Sequence, residues 1–250
     1  MQKIAFITGA SSGIGQAIAR SLAEHFALII CGRRIERLQE LKNELSAKTE
    51  VQILTFDVGS KAEVDAAIES LPTEWQKIHT LVNNAGNAHG RAPLHEGDVN
   101  DWEAMIDSNL KGLLYVTRAI LPGMVERKIG DVVNISSIAG KEAYENGNVY
   151  CASKFGVDAL TKSMRQELVQ HNIRAMSVNP GLVNTEFSMV RFKGDEDQAE
   201  SVYKGMEPLL AEDIADVVQF AVTRPAHVNL ADVTVLARSQ ASATKVHKNN

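Results

Sequence analysis

Along most of the chain, short apolar runs alternate with stretches whose apolar residues recur at helical spacing. The runs KIAFIT (from Lys3), ALIIC (from Ala27), VQILTF (from Val51), HTLVNN (from His79), DVVNIS (from Asp131), RAMSVN (from Arg174) and DVTVLA (from Asp232) read as strands. Several are apolar on both faces, as parallel strands covered by helices on each side must be. The helices between them are expected to begin near Gly13, Arg34, Ser60, Asp101, Val149 and Ala211. Ser60 and Glu63 have the spacing of a capping box. This βαβ rhythm predicts a doubly wound α/β domain.

No linker, repeat or low-complexity stretch interrupts the rhythm, so residues 1–250 are expected to form one domain. Residues 184–208 break the pattern between the sixth and seventh strands, and long excursions at this edge of such a sheet commonly cover the ligand. The polar tail SQASATKVHKNN (239–250) is expected to be loose at its end.

Composition narrows the function classes. A formal charge of −5, with basic residues spread singly, argues against a nucleic-acid or membrane surface. The chain enters a strand directly after Met1-Gln2-Lys3, which leaves no room for a signal peptide, and no apolar run approaches a membrane span. Cys31 and Cys151 are far apart and fall inside predicted elements, so the reading is free thiols and a reducing cytoplasm. The seven histidines have no metal-ligand spacing, and no metal site is expected.

The first candidate chemistry is ITGASSGIG (7–15), between the first strand and the first helix. Gly9 permits the tight turn, Gly13 lets backbone approach a pyrophosphate, and Gly15 lets helix and sheet pack closely. The spacing is one residue wider at the first gap than the commoner dinucleotide fingerprint. The second strand then ends Cys31-Gly32-Arg33-Arg34, placing two cations where a helix N-terminus favours anions. In a dinucleotide fold this is where the adenosine ribose lies. Arginine there accommodates the 2′-phosphate of NADP, whereas an acidic residue would bind the 2′-hydroxyl of NAD. Asp57, after the third strand, is placed either to accept from the adenine amino group or to serve ordinary turn chemistry.

Further on, NNAG (83–86) and ISSIAG (135–140) end the fourth and fifth strands, and NPG (179–181) ends the sixth. Tyr150 and Lys154 stand four residues apart on one helix face, and Ser137 precedes Tyr150 by thirteen. Taken in order, these motifs resemble the short-chain dehydrogenase/reductase superfamily over nearly the whole chain. The longer stretches DWEAMIDSNLKGLLYVTRAILPGMVER, GNVYCASK and GLVNTEFSMVRFKGD, with PAHVNL near the end, are similar to its NADP-dependent 3-hydroxy acid dehydrogenases, which oxidise serine, L-allo-threonine and related acids. One departure is AEHFALII, which lacks the glycine usual before the second strand and puts that local turn in question.

The resemblance implies a single Rossmann-type domain with a seven-stranded parallel sheet in the order 3-2-1-4-5-6-7. It implies an NADP site built from Gly9, Ser11, Ser12, Gly13, Ile14, Gly15, Arg33, Arg34, Asp57, Val58, Asn84, Ala85, Gly86, Tyr150, Lys154, Pro180, Gly181, Val183 and Thr185. Tyr150 would be the acid/base, its phenolate favoured by the Lys154 ammonium, which also binds the nicotinamide ribose. Ser137 would hold the reacting oxygen, and Asn109, at a helix kink, would order a water in a relay to Lys154. A homotetramer is implied as well. A 3-hydroxy acid carries a carboxylate that needs a partner once water is excluded, and Arg191 is favoured over Lys193 because its planar fork fits one. The alternatives are a reductase of another carbonyl and a non-catalytic NADP-sensing protein.

Overall fold

A computed structural model describes residues 2–249. Its strands are β1 (Ile4–Ile7), β2 (Ala27–Gly32), β3 (Val51–Thr55), β4 (Ile78–Asn83), β5 (Gly130–Ile135), β6 (Ile173–Pro180) and β7 (Asp232–Val235). All pair in parallel, in the order β3-β2-β1-β4-β5-β6-β7. The expected sheet is therefore present, with strand ends shifted by a residue or two. β1 and β2 are buried throughout apart from Gly32, because helices cover both faces. On one face α1 (Gly13–Leu22), α2 (Ile35–Leu45) and α9 (Ala211–Val222) bury Ile18, Leu22, Leu38, Leu41 and Ile214 against Ile7, Leu28 and Ile30. On the other, α3 (Lys61–Glu69), α5 (Gly112–Arg127) and α6 (Asn148–Leu168) bury Val64, Val116 and Val157 against Phe6, Ile29 and Leu81.

Two local expectations gain detail and a third needs correction. The helix predicted from Asp101 is α4 (Val99–Ile106) followed by a π-helical turn at Asp107–Lys111 and then α5, so the kink expected at Asn109 is an inserted wide turn. The excursion 184–208 contains two short helices, α7 (Phe187–Arg191) and α8 (Glu196–Ser201). The capping box at Ser60 is only half made. Ser60 accepts from Glu63 N, but the Glu63 carboxylate accepts from Asp57 N at 2.9 Å instead of reaching back. The turn before β2 closes without a left-handed residue, through His25 N and Phe26 N to the Leu22 carbonyl, which is how it dispenses with glycine.

Through Asn249 the tail is docked rather than loose, and Asn250 lies outside the described residues. Ala241 N and His247 N bond back to Lys245 and Ser239, Asn249 N bonds to Gly205 O, and the Lys248 ammonium donates to the Ser201 and Val202 carbonyls. It crosses the carboxyl edge of the sheet, where the candidate site lies. Among the described residues no helix is long and apolar enough to cross a membrane.

Candidate active site

A cleft of about 890 Å³ runs along the carboxyl ends of the strands, from Arg33 and Arg34 to Tyr150 and Arg191. Its floor is the turn between β1 and α1. Gly9 has φ +66° and Gly13 φ +51°, both in the left-handed region that glycine tolerates. A side chain on Gly13 would meet Thr185 at 3.3 Å, and one on Gly15 would collide with the Gly9 carbonyl and Asn84. The turn is held from β4: Asn84 Nδ2 donates to the Thr8 carbonyl at 2.9 Å, and Thr8 Oγ1 accepts from Asn84 N and Ala85 N. Thr8 lies inside the quoted motif, but its buried hydroxyl is a pin for the turn that motif spacing does not reveal.

The bare backbone at a helix N-terminus, with cations at one end of the cleft, fits an extended dinucleotide bearing a phosphorylated ribose. Ser11, Ser12, Ile14, Val58, Gly86, Pro180 and Val183 all line the cleft. The two arginines differ. Arg33 is 71% exposed, its closest acidic partner Asp57 at 3.5 Å. Arg34 is committed: it donates to Ser11 and Ser12, and to Glu186 at 2.9 Å. Arg37 reaches the same carboxylate at 2.5 Å. In the protein alone, the anion facing Arg34 is therefore Glu186, a residue sequence reading passed over because it lies about 150 positions away. Burial pushes the Glu186 carboxyl upward, but the two arginines outweigh this and hold it below the usual range. Asp57 accepts from Gly59 N at 2.9 Å, so turn chemistry uses one of its oxygens.

At the other end, Tyr150 and Lys154 share the inner face of α6, both buried. Ser137, at the end of β5, caps a single 3₁₀ turn by accepting from Ala139 N at 3.1 Å. Burial raises the Tyr150 phenol above its ordinary value, while the Ser137 hydroxyl and the Arg191 charge pull it down. Burial also pushes the Lys154 ammonium down to about 8, and its one protein partner is the Ile135 carbonyl at 3.0 Å. In the protein alone burial therefore outweighs the groups that would lower the phenol, and the expected lowering is not produced by these side chains.

Asn109 spends its side chain on structure. Its amide donates to Asn87 O and Ser153 Oγ and accepts from Asn87 N at 2.7 Å. This fixes the segment after NNAG beside Lys154; a side chain on Gly86 would crowd the Asn109 carboxamide oxygen at 2.9 Å and sit in ordinary contact, 3.6 Å, with the Lys154 ammonium. Gly181 N bonds to Val235 O, and the space of its missing side chain is filled by Gln240, whose Oε1 accepts from Leu182 N at 2.9 Å. Gln240 and the tail residues Ala243, Thr244, Val246 and Lys248 also line the cleft.

Arg191, on α7, comes to the chemistry. Its guanidinium lies 5.6 Å from the centre of the Tyr150 ring and donates to the Tyr144 hydroxyl at 3.1 Å. Its Nε is buried without a partner. Lys193 turns away to Asp101 at 2.9 Å. Tyr144 was missed because no periodicity marks its loop. Cys31 and Cys151 are buried free thiols, packed in the two apolar clusters beside them. Among the described residues no group of three His, Cys, Asp or Glu is placed to hold a metal ion.

Comparison with known proteins agrees with this geometry. The NADP-dependent 3-hydroxy acid dehydrogenase YdfG of Escherichia coli K12 is 45% identical over 248 residues, covering 98% of this chain and 99% of the relative. Sulfoacetaldehyde reductase 2 of Chromohalobacter salexigens is 42% identical, over 96% of each chain. The closed form of a serine dehydrogenase complexed with NADP⁺ superposes with a TM-score of 0.92 at 44% identity, covering 98% of this chain and all of the other. The sequence pattern described as short chain dehydrogenase matches residues 3–196, and with the Ser137, Tyr150 and Lys154 constellation at the end of a 3-2-1-4-5-6-7 sheet, the chain belongs to that family of oxidoreductases.

Proposed function

We propose that this protein is an NADP-dependent dehydrogenase that moves a hydride between the nicotinamide and the 3-hydroxyl of small 3-hydroxy acids such as serine or L-allo-threonine. The observation that carries this reading is Arg191. A guanidinium with an unpaired, buried Nε stands over the ring of the acid/base, where a substrate carboxylate would need a partner once water is excluded.

When bound, the coenzyme supplies the hydride acceptor or donor. Arg33 would hold its 2′-phosphate, and the turn from Gly9 to Gly15 its pyrophosphate, with Ser11, Ser12, Ile14 and Thr185 around it. Asp57, Val58, Asn84, Ala85 and Gly86 line the adenine and ribose stretch, and Pro180, Gly181 and Val183 the nicotinamide end. Tyr150 takes the proton from the substrate hydroxyl during oxidation and returns it during reduction. Ser137 holds the reacting oxygen against the phenol. Lys154 binds the nicotinamide ribose, favours the phenolate by its charge, and passes protons to a water held near Asn109.

Residues 184–208 act as the substrate cover of a single catalytic domain. The protein works in the cytoplasm as a homotetramer. The half-exposed Leu114 on α5 and Phe155 on α6 support packing of these helices against partners.

The 42% identity to a sulfoacetaldehyde reductase favours one other substrate class, since an arginine fork can also pair with two oxygens of a sulfonate. A panel of 3-hydroxy acids and sulfoacetaldehyde, followed by NADPH absorbance beside NADH, separates the two. Turnover of 3-hydroxy acids with NADP well above the others supports the reading; turnover of sulfoacetaldehyde alone replaces it. Tyr150→Phe should abolish turnover and leave NADPH binding intact.

A further inference from the structure

Helix α7 is only five residues long. A helix that short does not hold its place by its own backbone bonds. Yet it carries two groups that touch the Tyr150 ring, Phe187 with ring centres 5.7 Å apart and Arg191 at 5.6 Å. What fixes it at that end is local: Arg191 O accepts from Gly90 N, Ser188 bonds to the Tyr203 hydroxyl, and Arg191 bonds to Tyr144.

The residue immediately before α7 points the other way, across the cleft. Glu186 gives one carboxylate oxygen to Arg34 at 2.9 Å and the other to Arg37 at 2.5 Å. Arg34 in turn donates to Ser11 and Ser12 of the glycine-rich turn. One carboxylate therefore joins the wall that reads the coenzyme to the short helix that reaches the acid/base. Both arginines come from one element: Arg34 caps α2 and Arg37 lies in its first turn, so the bridge is anchored on a helix with a buried apolar face.

We infer that Glu186 is a positioning residue: through Arg34 and Arg37 it straps α7 over the coenzyme, so that coenzyme release and the placing of Arg191 depend on the same ion-pair bridge. The coenzyme side of this inference stands on the cleft alone, and its substrate side rests on the function proposed above. Isolated exposed ion pairs contribute little, but here one carboxylate is shared by two guanidinium groups on a rigid support, and a bound coenzyme beneath it would exclude water from one side.

The test uses the full chain with Glu186→Gln, Arg37→Gln and the double variant. NADPH release is read by stopped-flow nicotinamide fluorescence, and KM and kcat for L-serine at saturating NADP⁺. Each single variant should speed NADPH release by about three- to tenfold, and the double variant should be no faster than Glu186→Gln alone, since both remove one bridge. KM for L-serine should rise by about fivefold with kcat within about twofold of wild type, a split that general loosening of the fold would not give. NADPH release unchanged in Glu186→Gln, or single effects that add in the double variant, would overturn the inference. If wild type oxidises no 3-hydroxy acid, the functional reading fails, and NADPH release still decides the role of Glu186.

Discussion

The guanidinium of Arg191 stands 5.6 Å from the centre of the Tyr150 ring, although the two residues come from different helices and 41 positions separate them in sequence. A cation over an aromatic face is favoured, and here it also opposes the burial that raises the phenol. One charge can thus serve two ends, holding a substrate anion and easing proton removal by Tyr150. Arg191→Met keeps the bulk and removes the fork. KM for a 3-hydroxy acid should rise about ten- to a hundredfold, as expected for a lost charge-assisted pair, while an uncharged secondary alcohol is oxidised nearly as before. Equal losses on both substrates would make Arg191 a structural residue.

Lys154 costs stability. Its ammonium is buried, has one carbonyl partner, and is pushed down to about 8 by desolvation. Between that value and the ordinary lysine value the unfolded chain holds a proton that the folded chain has released, so this group's penalty is full below pH 8. It fades as pH rises toward the unfolded value of about 10.4. The shift corresponds to about 3 kcal/mol. Lys154→Met should therefore be inactive yet melt higher than wild type at pH 7, with the gap narrowing between about pH 8 and 10. Paired thermal melts at the two pH values read this directly. A variant that melts lower at pH 7 would mean that the bond to Ile135 outweighs the desolvation.

Arg33 and Arg34 look equivalent in sequence and differ in the structure. Arg33 is mostly exposed with a 3.5 Å neighbour, whereas Arg34 is engaged by two serines and Glu186. The less committed cation, Arg33, is the one proposed above for the 2′-phosphate. Arg33→Ala should weaken NADP binding about ten- to a hundredfold and leave NAD binding nearly unchanged. Fluorescence titration with NADPH and NADH measures both, and equal losses would assign the 2′-phosphate to another group.

These contrasts mark where sequence reading succeeds and where it stops. The strands were legible because β1, β2, β5 and most of β4 are buried on both faces, which leaves continuous apolar runs. The spacing of the glycine-rich turn and of Tyr150 and Lys154 follows from backbone geometry and helix period, whereas Ser137, on another element, was singled out through the family resemblance. α7 and α8 were not, since five or six residues are too few to display a period. The Glu186 bridge, the Tyr144 contact to Arg191 and the docking of the tail through Gln240 are long-range pairings. Their polar residues look like solvated loop until the fold brings the partners together.

A last pairing of this kind concerns stability rather than the site. Arg174 on β6 and Asp131 on β5 are direct register partners, and their side chains meet at 2.6 and 2.9 Å with Asp131 only 3% exposed. The same guanidinium donates to the Val222 and Val228 carbonyls, and so closes the C-terminal end of α9, whose last carbonyls have no helical partners of their own. His79 lies 3.7 Å from Asp131, but burial holds its imidazole below the usual value, so it is a weak substitute for the lost charge near neutral pH. Arg174→Met would leave Asp131 buried and unpaired and the carbonyls bare. The expected loss is about 3–5 kcal/mol in urea denaturation. Because the pair lies at the opposite end of β5 and β6 from Ser137 and Pro180, kcat per folded molecule should stay near that of wild type. Replacing both residues, as Arg174→Met with Asp131→Asn, should recover part of the loss, since the second change removes the stranded charge. If the double variant is no more stable than Arg174→Met alone, the carbonyl contacts at the end of α9, and not the ion pair, are what Arg174 contributes.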